Sequence, residues 1–415
     1  MTNLTVEQQA ILLLIQSSLW GVRAKLPAQI DWAKVDVMAK EQAVTAFVYD
    51  GAIKMEATVP EELLAKWKMK MLQGVVHNER LLHAQDELIA WFDQAGIPVV
   101  ILKGSSVARY YPQPDLRILG DIDILIDEAN LDRAQQILEQ KGYVAKESDH
   151  GFHISFSRER VYVELHYNVT GFPDSEGGQI AKKETEHFLE EISRSKIYRH
   201  VFPVLGEKDQ GLSLLLHMIR HMFECGIGLR QVCDWAMYAE NGDPEYFATV
   251  VVPMLKRCGL YQYARVATRA CVCYLGLPNE HLSWCADVAD EVCRQFIDEV
   301  FREGNMGDAN KEGMGSLFTH SDSMGEKKSA FFALISRLTE LSYKNFPVSQ
   351  KLKVLLPFFW FYLPVRYLVR SELGLRPKKS IAKVVQSAKQ QRTLYEQLSP
   401  FTSQKDETII EKVED

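Results

Sequence analysis

The chain has 415 residues, of which 47% are hydrophobic and 25% are charged, and its formal net charge is −7 at pH 7. This composition excludes collagen-like, low-complexity and wholly disordered proteins, and the net charge argues against a general polyanion binder. No stretch reaches the roughly 18 uncharged apolar residues of a spanning helix, and Met1–Gly21 lacks the basic start of a signal peptide. Roughly 100–200 residues per domain gives two to four domains.

The cysteines are typical of a protein whose thiols stay reduced. The chain has seven of them, an odd number, and none forms a CxxC pair. Disulfides are rare in large cytosolic proteins, so a cytoplasmic location without a structural zinc site is expected.

Residues 1–96 are predicted to form an N-terminal helical region, because apolar residues recur there at helical spacing up to Gly96. Residues 97–205 change pattern and form the predicted αβ core. Its predicted elements are strand Pro98–Leu102, helix Gly104–Tyr111, strand Asp121–Ile126, helix Asn130–Lys141, and a hairpin of His150–Arg158 with Arg160–Val169.

Three further regions follow the core. Residues 206–310 are predicted to form a helical domain, residues 311–392 a basic helical region, and residues 393–415 an acidic tail, partly disordered. Between Lys327 and Arg392 there are fourteen Lys or Arg and two Glu, a balance of +12. Such a stretch is typical of a surface that binds phosphate, nucleic acid or anionic lipid. The alternative is a solvated basic face that packs on the acidic remainder of the chain. The aromatic segment 355–365 within it suits either a membrane interface or a buried core.

Paired acids mark a candidate metal site. Side chains two apart in a strand share a face, so Asp121 and Asp123 point the same way while Ile122 and its aliphatic neighbours face the core. Two such carboxylates repel each other unless a cation lies between them, and their oxygens suit Mg²⁺. Glu164, on a later strand, is available as a third acid. The alternatives are cap residues for the aspartates and a cross-strand ion pair with an arginine for Glu164.

The small residues after the first predicted strand are typical of a phosphate-binding loop. Gly104, Ser105 and Ser106 lie between a strand and a helix, where backbone amides and hydroxyls are presented to an anion. Lys103 offers a point charge and Arg117 a planar fork. The alternatives are a structural lysine at a strand end, and a salt bridge from Arg117 to a nearby aspartate.

This order of motifs resembles the nucleotidyltransferase superfamily typified by DNA polymerase beta. It is similar, more closely, to the bacterial branch known only as nucleotidyltransferase family proteins. The motifs that carry the resemblance are Leu102-Lys103-Gly104, Gly120-Asp121-Ile122-Asp123 and Val163-Glu164-Leu165-His166. Fifteen residues separate Ser105 from Asp121, which is longer than the superfamily usually has.

The resemblance implies an α+β fold, with a small mixed β-sheet nucleotidyltransferase core embedded in predominantly α-helical N-terminal and C-terminal regions. It implies that Asp121, Asp123 and Glu164 are catalytic and hold two Mg²⁺ ions, with Mn²⁺ as an alternative, and that Gly104 and Ser105 contact the β- and γ-phosphates. The full predicted nucleotide-binding set is Lys103, Gly104, Ser105, Ser106, Arg117 and Arg230.

Two helical pairs leave alternatives open. His217 and His221 have i,i+4 spacing, which can bind zinc, but packing or nucleotide contact is favoured because no third ligand is near in sequence. Arg230 borders the nucleotide cleft in the family interpretation, or else pairs with Asp234 one turn later.

The expected activity is transfer of a nucleoside monophosphate from an NTP such as ATP to a hydroxyl or phosphate acceptor, with release of pyrophosphate. The acceptor is a small molecule, a protein or an RNA, and the sequence does not choose among them. The alternative is a catalytically silent protein that binds a nucleotide and docks on a partner or a membrane through its basic region.

Overall fold

The computed structural model describes residues 4–146, 151–224, 226–278, 283–305, six positions between 335 and 346, and residues 348–372 and 393–402. Within these residues the fold is α+β, as the sequence predicts: helices surround one mixed sheet.

Four helices precede the sheet. They are α1 (Val6–Trp20), α2 (Trp32–Glu41), α3 (Thr45–Lys54) and α4 (Glu61–Gln94). A capping box between Thr5 and Gln8 starts α1. Helices α1 and α3 pack so closely that a Cβ at Gly51 would lie 1.9 Å from the Leu14 carbonyl oxygen, so only glycine fits there.

Helix α4 connects the two parts of the molecule. Trp67, near its start, is buried with the N-terminal helices. Leu81, Leu88 and Phe92, in its second half, are buried instead under one face of the sheet. Its 34 residues span roughly 50 Å at 1.5 Å per residue, enough to reach both cores.

The sheet has seven strands in the order β3-β4-β5-β2-β1-β7-β6. They are β1 (Val100–Ile101), β2 (Ile122–Leu125), β3 (Val144–Ala145), β4 (His153–Arg158), β5 (Val161–His166), β6 (Ile192–Ile197) and β7 (His200–Leu205). The β2–β5 and β1–β7 pairs are parallel, and the other pairs are antiparallel. Short helices α5 (Ser105–Ala108), α6 (Leu131–Gln140) and α7 (Glu176–Glu186) lie between the strands.

The structure confirms the predicted β1, β2 and β4–β5 hairpin, and it adds three strands and α7. Strand β6, of sequence Ile-Ser-Arg-Ser-Lys-Ile, is mostly exposed at the sheet edge and carries little apolar pattern. Strand β7 joins the sheet by pairing Val204 with Ile101, about one hundred residues earlier in the chain. Periodicity in the sequence describes only neighbouring residues, so it cannot indicate a pairing between strands this far apart. Strands β6 and β7 were therefore not predicted.

The sequence predicts helices from about residue 209 to 302, and the structure confirms them. The longer ones are α8 (Glu207–Glu224), α9 (Leu229–Asn241), α11 (Val252–Arg257), α12 (Tyr261–Ala270) and α13 (Asp290–Glu303), with the short α10 (Pro244–Tyr246) between α9 and α11. Gln16 donates to the Tyr274 carbonyl and Gln42 to the Val300 carbonyl. The N-terminal helices and this block therefore share one hydrophobic core.

The first residues of the predicted acidic tail belong to that same core. Residues 393–398 form a helix, and Leu394, Tyr395 and Leu398 are buried. The Tyr395 hydroxyl donates to the Met222 carbonyl at 2.9 Å.

Between residues 346 and 373 the described α-helices are α14 (Val348–Lys351) and α15 (Leu356–Glu372). Most of the predicted basic region, and the tail beyond residue 402, lie outside the described residues. In the part of the chain that the structure describes, no helix is long and apolar enough to cross a bilayer.

Candidate active site

Two acidic strands lie side by side at the centre of the sheet. Parallel strands β2 and β5 place Asp123 opposite Glu164, and Asp121 immediately precedes β2. Ile122 and Ile124 are buried in the core under the other face, as the alternation predicts. Side-chain oxygens of the three acids lie within 4.8 Å of one another. The structure therefore brings together the three acids that the sequence predicts as one site.

Two basic side chains lie among these acids. Lys103 Nζ donates to Asp123 Oδ1 at 2.8 Å and lies 3.7 Å from Glu164 Oε2. His166 Nε2 lies 3.1 Å from Asp123 Oδ1 and 3.2 Å from Glu164 Oε2, while its Nδ1 lies 3.3 Å from the Asn168 carbonyl oxygen. Because both ring nitrogens face oxygen acceptors, the geometry favours the doubly protonated imidazolium.

Burial and charge act against each other in this cluster. Burial and the neighbouring Asp123 charge raise the pKa of Asp121. Burial also opposes ionisation of Glu164, but the hydrogen bond from His166 and the charge of Lys103 hold its pKa below the ordinary value. Although burial disfavours the charged ring, the same hydrogen bonds raise the pKa of His166. The cations near Asp121 therefore do not fully offset its burial and the charge of Asp123.

The two oxygens of Asp123 have different surroundings. Oδ1 accepts from Lys103 and His166. Oδ2 is buried, and the described residues provide no hydrogen-bond partner for it; the residue as a whole is 1% exposed. Since an orphaned buried acceptor is costly, this oxygen is a natural ligand for a cation. A second group with metal-ligand spacing shares Glu164 and adds His153 and His166.

The Gly-Ser loop turns its hydroxyls inward. Gly104 has φ +68°, a conformation that L side chains rarely adopt, and this turns the chain sharply after β1. Ser105 is buried, and its hydroxyl donates to Gln85 Oε1 at 2.6 Å. Ser106 is fully buried. Helix α4 thus supplies the partner for the Ser105 hydroxyl, whereas the Ser106 hydroxyl has no hydrogen-bond partner among the described residues. The phosphate contact of the two serines stays a prediction.

Arg117 also has a protein partner. Its Nη2 and Nε donate to the two carboxylate oxygens of Asp234 at 2.6 and 3.1 Å, and the Tyr111 hydroxyl donates to the same carboxylate at 2.7 Å. Arg117 therefore forms a salt bridge, which is the alternative given above. Its partner is Asp234 on α9 and not an aspartate near Arg117 in the sequence. Asn78 of α4 accepts from the Leu119 amide and donates to the Arg117 carbonyl, which fixes this long loop.

Arg230 remains available to an anion. The alternative pairing with Asp234 is not formed as a hydrogen bond, because Arg117 occupies that carboxylate. Arg230 Nη1 makes a long contact of 3.4 Å to the Ile118 carbonyl, and its buried Nε has no hydrogen-bond partner among the described residues. Burial and the charge of Arg117 lower the pKa of Arg230, while Asp121 opposes that shift.

A small cleft opens beside the acids. It is lined by Leu102, Lys103, His166, Val169, Thr170, Ser213, His217 and Arg220. Sequence reasoning missed Thr170, Ser213 and Arg220. The signal for two of them was present, because positions 213, 217 and 220 are spaced as one face of α8.

The histidines of α8 are held neutral. Burial, and after it the charge of Lys103, put the pKa of His217 well below the ordinary value and lower that of His221 to about 3. Their rings are in edge contact, with centroids 4.2 Å apart. Neither joins a metal-ligand group in the described part of the chain, so packing or ligand contact remains the better interpretation.

Comparison with known protein families identifies a match. The model of a family described as an uncharacterised nucleotidyltransferase matches residues 28–276, a span that contains the whole sheet, the three acids and the cleft. No curated protein shows significant similarity to the chain.

Proposed function

The chain belongs to this uncharacterised nucleotidyltransferase family, and from that premise we propose that it moves a nucleoside monophosphate from an NTP to a hydroxyl or phosphate acceptor, releasing pyrophosphate, with Mg²⁺ or Mn²⁺. The observation that carries the proposal is the convergence of Asp121, Asp123 and Glu164, whose oxygens lie within 4.8 Å of one another. The acceptor is a small molecule, a protein or an RNA.

The residues present fit a divalent ion. Carboxylate oxygens are the ligands that Mg²⁺ prefers, and Asp123 Oδ2 is buried without a protein donor in the described residues. Burial and the Asp123 charge raise the pKa of Asp121, so an added cation would stabilise its ionised form. A metal ion held there would neutralise the charge that develops on the transferred phosphorus group.

The protein's own part in the reaction is positioning. Lys103 and His166 hold Asp123 Oδ1 and Glu164 in place. The cleft beside them offers Arg220, Ser213 and Thr170 to the phosphates. We assign Arg230 to the nucleotide as well, and Arg117 to positioning, because its guanidinium is committed to Asp234. Phosphoryl-type transfer needs little more than such alignment and charge neutralisation.

Nucleotide transfer is tested with purified protein, each α-labelled NTP, Mg²⁺ or Mn²⁺, and cell extract as acceptor source. We expect label transfer and pyrophosphate with wild-type protein, and a loss of about 100-fold or more in Asp121→Asn and Asp123→Asn, because each removes a preorganised charge. Asp127→Asn is the matched control, since Asp127 lies just after β2 and only caps a turn. Activity that survives both substitutions would refute the assignment of catalysis to these acids, and absence of label transfer with every NTP would contradict the proposed function.

We also propose that α15 lies on an anionic lipid surface, since it carries an exposed apolar seam at helical spacing. The seam residues are Phe358, Phe361 and Val365 of α15 and Val354 of the short helical turn just before it. Its opposite side is covered, because Phe359 stacks on Phe346 at 4.3 Å between centroids. Lys353 and Arg366 flank the seam, and the surrounding sequence is strongly basic. Aromatic side chains with basic flanks suit a membrane interface, where the charges complement anionic headgroups. This contact also fits the catalytically silent alternative.

A further inference from the structure

Lys103 lies where a cation is expected. Its Nζ is 2.8 Å from Asp123 Oδ1 and 3.7 Å from Glu164 Oε2, and its side chain is only 17% exposed. An ammonium group shares with a metal ion its positive charge and its attraction to carboxylate oxygens. Lys103 therefore already fills part of the space among the three acids.

The backbone fixes Lys103 in this position. The Leu102 amide donates to the Asp123 carbonyl at 3.1 Å, and Gln210 donates to the Leu102 carbonyl at 3.1 Å. On the other side Gly104 turns the chain with its positive φ. The lysine is thus anchored beside β2 through both neighbours, unlike a surface lysine that swings freely in solvent.

The oxygens of Asp123 limit how many ions the cluster can hold. A pair of ions about 3.5–4 Å apart is normally joined by a carboxylate that gives one oxygen to each ion. Asp123 is the central acid, two residues from Asp121 and opposite Glu164. Its Oδ1 is committed to Lys103 and His166, and only Oδ2 is left.

The charge balance agrees with that limit. Three carboxylates carry −3, and the Lys103 ammonium together with the His166 imidazolium reduces this to −1, so a single divalent ion already outweighs the remaining negative charge. A second divalent ion would lie close to the ammonium in a largely buried site, where like charges repel strongly.

We propose that Lys103 takes the place of one of the two divalent ions, so that the acid cluster of the free protein holds a single divalent ion. This inference rests on the proposed function, because it assumes that the cluster binds metal at all.

The test counts bound Mn²⁺ per chain at saturation by equilibrium dialysis. We expect Lys103→Met to bind one more Mn²⁺ than wild type, and Lys103→Arg, which keeps the charge, to match wild type. Lys208→Met is the matched control, because Lys208 also contacts two acids, Glu184 and Asp209, but outside the site; it should match wild type. Equal counts for wild type and Lys103→Met would overturn the inference.

A second measurement does not depend on the variant folding. The electron paramagnetic resonance spectrum of wild-type protein saturated with Mn²⁺ should show isolated ions, while a spin-coupled pair would overturn the inference and leave the proposed function intact. Absence of any Mn²⁺ bound at the cluster, with Asp123→Asn binding as much as wild type, would instead remove the metal-dependent function. The two failures are therefore distinguishable.

Discussion

Arg117 and Asp234 form an ion pair that is removed from solvent on both sides, since each residue is 5% exposed. Burial disfavours the charged guanidinium, but the carboxylate more than compensates and raises the pKa of Arg117. The Tyr111 hydroxyl satisfies the same carboxylate, so three elements meet at one point: the helix α5 region, the long loop and α9.

Replacing Arg117 alone should therefore cost stability. Arg117→Met leaves the Asp234 carboxylate buried without its ionic partner, and we expect the free energy of unfolding to fall by about 3–5 kcal/mol. The double variant with Asp234→Leu should recover part of that loss, since it removes the uncompensated charge. Urea denaturation of both variants measures the two effects.

The control is Lys34→Met, which breaks the exposed pair with Asp31 and should leave stability nearly unchanged, because water and salt screen such a pair. If Arg117→Met kept wild-type stability but lost nucleotide affinity, Arg117 would be a nucleotide ligand, as the sequence alone suggests.

Sequence reasoning located the acids but not their neighbours. Asp121 and Asp123 were identifiable because alternation within one short strand is a local property. Nothing local indicated that Ser105 would donate to Gln85, twenty residues earlier, or that Lys103 would contact Glu164. Both contacts depend on how α4, β1 and β5 pack together.

At the level of elements, α8 forms one wall of the cleft. Ser213, His217 and Arg220 follow one another at helical spacing and face the sheet beside Lys103. The guanidinium of Arg220 also lies over the Phe152 ring, 4.7 Å from its centroid. A single helix thus supplies a hydroxyl, a neutral imidazole and a cation to the proposed phosphate side of the site.

The exposed seam of α15 predicts that the protein binds anionic membranes. Wild-type protein should sediment with vesicles of phosphatidylcholine and phosphatidylglycerol, and should bind pure phosphatidylcholine more weakly, because Lys353 and Arg366 attract anionic headgroups. Phe358→Ser with Phe361→Ser should remove most of the binding, since both exposed rings lose their apolar contact.

The matched control is Val37→Ser with Met69→Ser, two exposed apolar residues of α2 and α4, which should bind vesicles like wild type. Binding that is unaffected by the α15 substitutions would refute the membrane contact. So would a dimer in solution that the same substitutions dissociate, because the seam would then be covered by a second copy.

At the scale of the whole molecule, the helices before and after the sheet form one core, although about 110 residues of chain separate them. Trp20 donates to the Leu275 carbonyl, and Gln42 accepts from the Leu229 amide. The cleft is bounded by this helical body on one side and the sheet on the other, so its shape depends on both.

Residues 393–402 complete that core, which makes them important for stability. Leu398 is fully buried, and Leu398→Ala should lower the free energy of unfolding by about 2–5 kcal/mol through lost packing and a cavity. Gln397→Ala, at the exposed neighbouring position, should have little effect. Urea denaturation midpoints compare the two, and equal stability would show that the segment does not belong to the core.

The sequence by itself determined the helical and strand regions of an α+β fold, the central strands, and the three acids on or next to those strands. These follow from periodicity and residue chemistry within a few neighbouring positions. Only the tertiary structure decided that β7 lies beside β1, that Arg117 forms its ion pair with Asp234, and that Lys103 lies among the acids. Each of these contacts is between residues far apart in the chain. Several partners would be chemically acceptable for each residue, and the packing of the whole molecule decides which one it contacts.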